Sequence, residues 1–305
     1  MALNITDFST TSFNVSLDSG GKFGGFHCFP PLESFNLSMN IISLLVNIFH
    51  LSIVSSLEPL KQTQYRCVLI NVSMADIVNV ISVATFYSCY SFFIFQFVAG
   101  EPILRIHINF QISFGNYISY HVFVVASVQK YLAICRPLRY QSHCLIRRMP
   151  AVFAMTWLYV FLLNLLSSLS ASLCPFPWVQ SLEFLMLRLV LFAVIPNLIS
   201  IVLLTKVYRE MKRPTNQQHD KKAVEQERKG ATYIMIIFTL EMIVFILNLV
   251  CIVVIHCTGT LTICKLWNGF IKAPYTISNT VIYGWRSKSY RRKVYKIFGC
   301  NTVKF

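Results

Sequence analysis

Leu69-Ile70-Asn71-Val72-Ser73-Met74-Ala75-Asp76 places an amide, a hydroxyl and a carboxylate inside an apolar run that extends from Val68 to Phe97. A carboxylate in such a run is costly unless it finds a cation, polar partners or a proton, so Asp76 reads as the centre of a polar pocket inside a membrane helix. The run is long enough to cross a bilayer: about 20 mainly apolar residues span the hydrocarbon, where backbone groups must satisfy one another. To either side, Leu37 to Leu57, Ile106 to Ile134, Ala151 to Leu173, Phe184 to Val207, Ala231 to Ile255 and Leu266 to Trp285 meet the same requirement. The expected fold is all-α, a seven-transmembrane helix bundle in a lipid bilayer.

Composition agrees with that solvent. Of 305 residues, 55% are hydrophobic and 13% charged, and the mean hydropathy is +0.58, too apolar for an ordinary soluble domain. The formal charge of +15 would suggest nucleic acid in a soluble protein, but here the basic residues sit in short loops and the tail, so no nucleic acid is expected. Basic residues resist translocation, which makes their placement a guide to orientation. On one side lie Lys61 and Arg66, then Arg136, Arg139, Arg147 and Arg148, then the run from Lys206 to Lys229, then that from Arg286 to Lys304. The other side has Lys22 and Lys265, with Arg105 and Arg188 at the mouths of the third and fifth spans. The N-terminus is therefore expected outside and the C-terminus in the cytoplasm.

An outside N-terminus makes Asn4-Ile5-Thr6 and Asn14-Val15-Ser16 candidate glycosylation sites. Asn36-Leu37-Ser38 fits the pattern close to the membrane, and Asn71-Val72-Ser73 falls inside the second span, where no glycan is expected. Met1 to Pro31 lacks a basic stretch followed by an apolar core, so the first span is expected to direct its own insertion. The 10 cysteines show no repeated close pairing of the kind a zinc site needs. No internal repeat is visible, which weighs against a transporter built from duplicated halves.

The Asn71 to Asp76 segment resembles the second helix of rhodopsin-like (class A) G-protein-coupled receptors, and other landmarks follow in the family's order. Asn47 is similar to the polar landmark of helix one. Gln129-Lys130-Tyr131, followed by Leu132-Ala133-Ile134-Cys135-Arg136-Pro137-Leu138, resembles the end of helix three; Trp157 and Pro196 match helices four and five. Asn279-Thr280-Val281-Ile282-Tyr283 resembles the Asn-Pro-x-x-Tyr element, and Arg286 to Phe298 the short amphipathic eighth helix, with Cys300 beyond it as a candidate for palmitoylation. The resemblance covers nearly the whole chain and divides it into an extracellular segment 1–36, a bundle 37–285, and the amphipathic helix and cytoplasmic tail 286–305. It implies a multi-pass plasma-membrane receptor, not an enzyme, whose extracellular ligand shifts a balance of states read by a heterotrimeric G protein. Asp76, Ser119 and Asn279 fall where the family builds a sodium pocket; a hydrogen-bonded, water-filled polar core is the alternative. No other cofactor is implied. Gln129, Lys130, Tyr131 and Tyr283 stand at the family's switch and G-protein-coupling positions.

Several positions depart from the family pattern. Gln129 is neutral and Lys130 replaces an arginine, so the usual ionic restraint at the inner end of helix three cannot form, and a lysine lacks the planar fork of arginine. Phe238-Thr239-Leu240-Glu241-Met242-Ile243-Val244-Phe245 has neither the tryptophan nor the proline of the helix-six hinge, and Thr280 replaces the proline of helix seven. Arg105 replaces the cysteine of the usual outer disulfide, leaving Cys257 and Cys264 as the candidate pair, with Cys28 as a competing partner. Glu241 and Lys272, in the middle of spans six and seven, are candidates for an ion pair. Lys272 lies one residue before Ala273, the position that matches the opsin lysine, which weighs against retinal.

Ile112 stands where amine receptors place an aspartate, which weighs against a biogenic amine. Gln111, Asn116, Tyr117, Tyr120 and Lys272 are the candidate ligand-binding residues. Cys135-Arg136-Pro137-Leu138-Arg139-Tyr140 resembles odorant and related chemosensory receptors, while Ile282-Tyr283-Gly284-Trp285-Arg286-Ser287 and the short second loop are similar to melanocortin-type receptors. The altered switch motifs keep a rival open: a non-signalling or decoy membrane protein.

Overall fold

The computed structural model describes residues 30–56, 63–91, 102–140, 148–173, 182–213, 221–258 and 268–298. Helix α1 is Pro30–Ser56, α2 Thr63–Ser91, α3 Pro102–Cys135, α4 Met149–Leu173 and α6 Lys221–Thr258. Helix α5 consists of Leu182–Leu189 and Ile195–Lys212 joined through the π-helical turn Val190–Val194; α7 is the π-helical turn Asn268–Lys272 running into Ala273–Arg286. A single turn, Pro137–Tyr140, follows α3, and the short α8, Lys288–Ile297, follows α7. No strand occurs among the described residues. Within the described residues each expected span is helical, residues 57, 92–97 and 266–267 lying outside them, and α1 begins at Pro30, within the stretch read from sequence as an N-terminal segment.

Many large apolar side chains are exposed on the outside of the bundle, while polar ones lie buried beside its apolar core. Leu45 of α1, Leu166 of α4 and Leu198 of α5 are 61%, 62% and 54% exposed, whereas Asp76, Asn79, Asn197, Glu241 and Asn279 are buried. Apolar side chains face outward because lipid tails are their solvent, and polar ones face inward because only there can they find partners. Among the described residues, α1, α3, α4, α5 and α6 contain stretches long and apolar enough to cross a membrane.

Helix α3 runs through the centre and packs on α2, α4, α5 and α6; α1 packs on α2 and α7, which closes the ring. In lipid, helices associate through close packing and polar contacts rather than water exclusion, so small residues matter at crossings. Gly115 is the sharpest case: a Cβ added there would lie 2.6 Å from the Asn79 Cα of α2. The two π turns each precede a proline, Pro196 or Pro274, near the start of the α-helix that follows. Proline removes one N–H donor and crowds the preceding turn, and a widened turn accommodates both; at α5 the Ile195 N–H donates to the Val190 carbonyl, five residues back. Helix α6 has no proline and runs as uninterrupted α-helix from Lys221 to Thr258, as its altered hinge sequence predicts. We call the end where α1, α3, α5 and α7 begin the upper end and the opposite one the lower.

Candidate functional site

A buried polar stripe runs down α1. Asn36, Asn40, Ser43, Asn47 and His50 are spaced by four and three residues, lie on one face, and are each at most 3% exposed. The seam continues onto α7, where Ser43 and Thr276 share a hydrogen bond between their hydroxyls. Thr276 Oγ1 already donates to the Ala273 carbonyl at 2.8 Å, so Ser43 is the donor in that bond. Asn47 Nδ2 donates to the Ser43 carbonyl at 2.9 Å and reaches the Thr276 carbonyl at 3.4 Å. At the lower end of the stripe, His50 Nδ1 lies 3.2 Å from the Tyr290 hydroxyl of α8, and His50 meets the Tyr283 ring edge-on at 5.4 Å. In membrane bundles such bonds contribute about 0.6 kcal/mol each, so the seam holds α1 by number rather than by any one contact.

Asp76 sits at the level of the middle of α7. Asn279 Nδ2 donates to Asp76 Oδ2 at 2.6 Å, and the Tyr233 hydroxyl of α6 donates to the Asn279 carbonyl at 3.2 Å. One residue of α7 is thus bonded to α2 through its side chain and to α6 through its backbone. Asn279 Oδ1 is buried without a hydrogen-bond partner. Of the three residues expected to converge, Asp76 and Asn279 meet; Ser119 Oγ instead donates to the Gly115 carbonyl of its own helix at 3.1 Å. Glu241 and Tyr275 are the neighbours whose charge or dipole reaches Asp76.

Above this core, Asn116, Tyr117 and Tyr120 occupy the inward face of α3. Lys272 Nζ donates to Asn116 Oδ1 at 2.9 Å. That replaces the expected ion pair: Glu241 feels the Lys272 charge, but no contact within ion-pair distance joins them, and Glu241 Oε2 has no hydrogen-bond partner. Lys272 is the last residue of the π turn and directly precedes the regular helix Ala273–Arg286. Tyr117 stacks on Phe192 at 5.1 Å and Tyr120 meets Phe245 edge-on at 5.5 Å. The Arg188 guanidinium of α5 donates to Ser113 Oγ at 3.4 Å.

At the lower end, Gln129 and Lys130 are 0% and 1% exposed. Gln129 Nε2 donates to the Tyr140 hydroxyl at 3.4 Å, which folds the Pro137–Tyr140 turn back onto α3 without an ionic pair. Tyr131 is half-buried, with Lys206 Nζ 5.9 Å from its ring centre. Tyr283 packs edge-on against Tyr233 at 5.5 Å and Tyr290 at 5.2 Å. In α8 the Ser287 hydroxyl caps the helix by accepting from the Tyr290 N–H, and burial, with the Tyr283 neighbour adding, pushes the Tyr290 phenol up to about 12.

The side chains of Gln111 and Cys257, and residues Cys28, Cys264, Asn4, Asn14 and Cys300, lie outside the described residues. Sequence reading missed the α1 stripe apart from Asn47, although a polar residue every three or four positions in an apolar run is its signal. It also missed Thr276, Tyr233 and Tyr290, ordinary residue types until the fold gives them partners. Trp157, read only as a helix-four landmark, donates to Asn71 Oδ1 at 2.9 Å and ties α4 to α2.

Compared with curated proteins one by one, the chain finds no match. Against families it matches the one described as 7 transmembrane receptor (rhodopsin family) over residues 46–285, from within α1 to the last turn of α7. That span takes in every polar contact between α2, α3, α6 and α7 described above, and the chain belongs to the rhodopsin family of seven-transmembrane receptors.

Proposed function

We propose that this receptor stands in the plasma membrane with its N-terminus outside, binds a small extracellular ligand in the upper half of the bundle, and passes that event to a heterotrimeric G protein at the lower end. The observation that carries the reading is the double attachment of Asn279, to Asp76 by its side chain and to Tyr233 by its carbonyl. A displacement of α6 at Tyr233 is felt at Asp76, and a ligand that moves α7 at Lys272 acts on the same strand of contacts. Asn116, Tyr117, Tyr120 and Lys272 are the ligand-facing residues of this reading, and the chemosensory-like end of helix three supports a small molecule rather than a peptide.

A sodium ion beside Asp76 belongs to this reading, supported by Asn279 Oδ1, a buried oxygen without a hydrogen-bond partner on the side chain that contacts the carboxylate through Nδ2. In this reading Asp76 and Asn279 would hold the ion, which supplies the positive charge that the carboxylate lacks. The test is Asp76→Asn in surface-expressed receptor. Changed basal signalling together with lost sodium sensitivity is expected; no change in either would remove Asp76 from the switch. A second reading has its own support: Lys130 is buried in this arrangement, so a G protein reaches it only after the lower end opens. A chain that never opens would be a decoy, silent with a G protein under every ligand.

A further inference from the structure

Ser113, Asn116, Tyr117 and Tyr120 recur at helical spacing and line one face of α3 in the upper half of the bundle. Two cations address that face from opposite neighbours. From α5, Arg188 donates to Ser113 Oγ at 3.4 Å, and its charge also reaches the Tyr117 hydroxyl; its Nε is buried with no acceptor. From α7, Lys272 Nζ donates to Asn116 Oδ1 at 2.9 Å. These hydrogen bonds all go to neutral groups, and among the described residues no carboxylate lies within ion-pair distance of either cation.

Inside a membrane, a cation held only by neutral acceptors leaves most of its desolvation cost uncompensated. Among the described residues Glu241 is the carboxylate whose charge reaches Lys272, and none of them brings a negative group within ion-pair distance of either cation. The missing component is one further negative charge. A guanidinium offers parallel N–H donors that match the two oxygens of a carboxylate, and an ammonium beside it adds a point charge. The walls are aromatic: Tyr117 stacks on Phe192 at 5.1 Å and Tyr120 meets Phe245 at 5.5 Å, a surface suited to a hydrocarbon or aromatic body.

We propose that the upper half of the bundle is a binding site for a small monoanionic organic acid, its carboxylate taken by Arg188 and Lys272 and its apolar body by the Tyr117, Phe192, Tyr120 and Phe245 walls. This rests on the ligand-binding reading above and adds Arg188 to it. An amine meets two like charges in this site and is rejected. The neutral contacts to Ser113 and Asn116 hold the cations in place until the acid displaces or joins them.

The experiment is thermal unfolding of the purified full chain with benzoate and hexanoate, beside benzamide and hexylamine as isosteric neutral and cationic probes. The acids are expected to raise Tm in a saturable way and the amide and amine to leave it unchanged. Arg188→Gln and Lys272→Gln should each raise the half-saturating acid concentration by about tenfold or more, since each leaves the carboxylate one partner short. Arg188→Lys, which keeps the charge and loses the fork, should fall between. Equal shifts with benzamide and benzoate, no shift with either acid, or unchanged half-saturation in both glutamine variants would overturn the proposal; the probe comparison on the natural chain decides even where a variant fails to fold. G-protein activation is read separately. Stabilisation by acids without activation keeps the site and removes the signalling role, whereas activation by a non-acid with no acid shift removes the site alone.

Discussion

Gly115 and Asn279 show how much a single residue can settle in this bundle. An alanine methyl at position 115 would meet the α2 backbone at 2.6 Å, and backbone cannot rotate aside as a side chain does. Gly115→Ala is therefore expected to lower stability by about 1–3 kcal/mol, seen as a reduced Tm in detergent; an unchanged Tm would mean that α2 and α3 cross less tightly than described. Asn279→Ala removes the donor to Asp76 and leaves a buried carboxylate short of a partner, a loss of about 1–3 kcal/mol by the same measurement. Asp76 was legible in the sequence because a lone carboxylate in an apolar run demands an explanation. Its bond to Asn279 was legible only through resemblance, since residues 203 positions apart share no local pattern. The contact between Lys272 and Asn116 was not legible: charge alone nominates Glu241, whereas the acceptor that Lys272 reaches, 156 positions away, is set by how α3 and α7 pack.

Among the elements, α8 gives the clearest test of how the helices are held. Tyr290 lies against His50 of α1 and Tyr283 of α7, so it fastens α8 to both. Tyr290→Phe keeps the ring contacts and loses one hydrogen bond, about 1 kcal/mol, whereas Tyr290→Ala also loses the ring and should cost about 3–5 kcal/mol. Comparing the two by thermal unfolding separates the bond from the packing; equal losses would contradict this division. The phenol is pushed up to about 12 from an ordinary value of about 10. Its contribution is accordingly complete below the ordinary tyrosine range and lost as pH rises through the folded value. Element boundaries were legible to within about three turns, because length and apolarity set the membrane-crossing part; the largest difference is at α6, read from Ala231 and observed from Lys221, where a polar helical stretch precedes the apolar run. The π turns were not legible: Pro196 was read only as a helix-five landmark and Pro274 not at all, and a proline in an apolar run signals a disturbance without its form.

For the whole molecule, bundle and family follow from features that extend along the chain, the apolar runs and the order of landmarks, and the proposed orientation rests on the one-sided basic loops. What the chain does is concentrated at its two ends, where it departs from its family. At the lower end Gln129 bonds Tyr140 in place of an ionic lock, and Lys130 is packed inside. Restoring Gln129→Asp and Lys130→Arg together should strengthen restraint and coupling at once, because the arginine both pairs with the acid and offers a better fork to a carbonyl. Whether this chain signals is decided most directly by G-protein activation without added ligand in cells expressing the natural chain, beside the Gln129→Asp, Lys130→Arg variant at matched surface expression. Activation above untransfected cells is expected for the natural chain, with a lower resting level in the variant. Silence in both, maintained through a ligand screen that includes small organic acids, would contradict that expectation and leave a receptor fold without a receptor's signal.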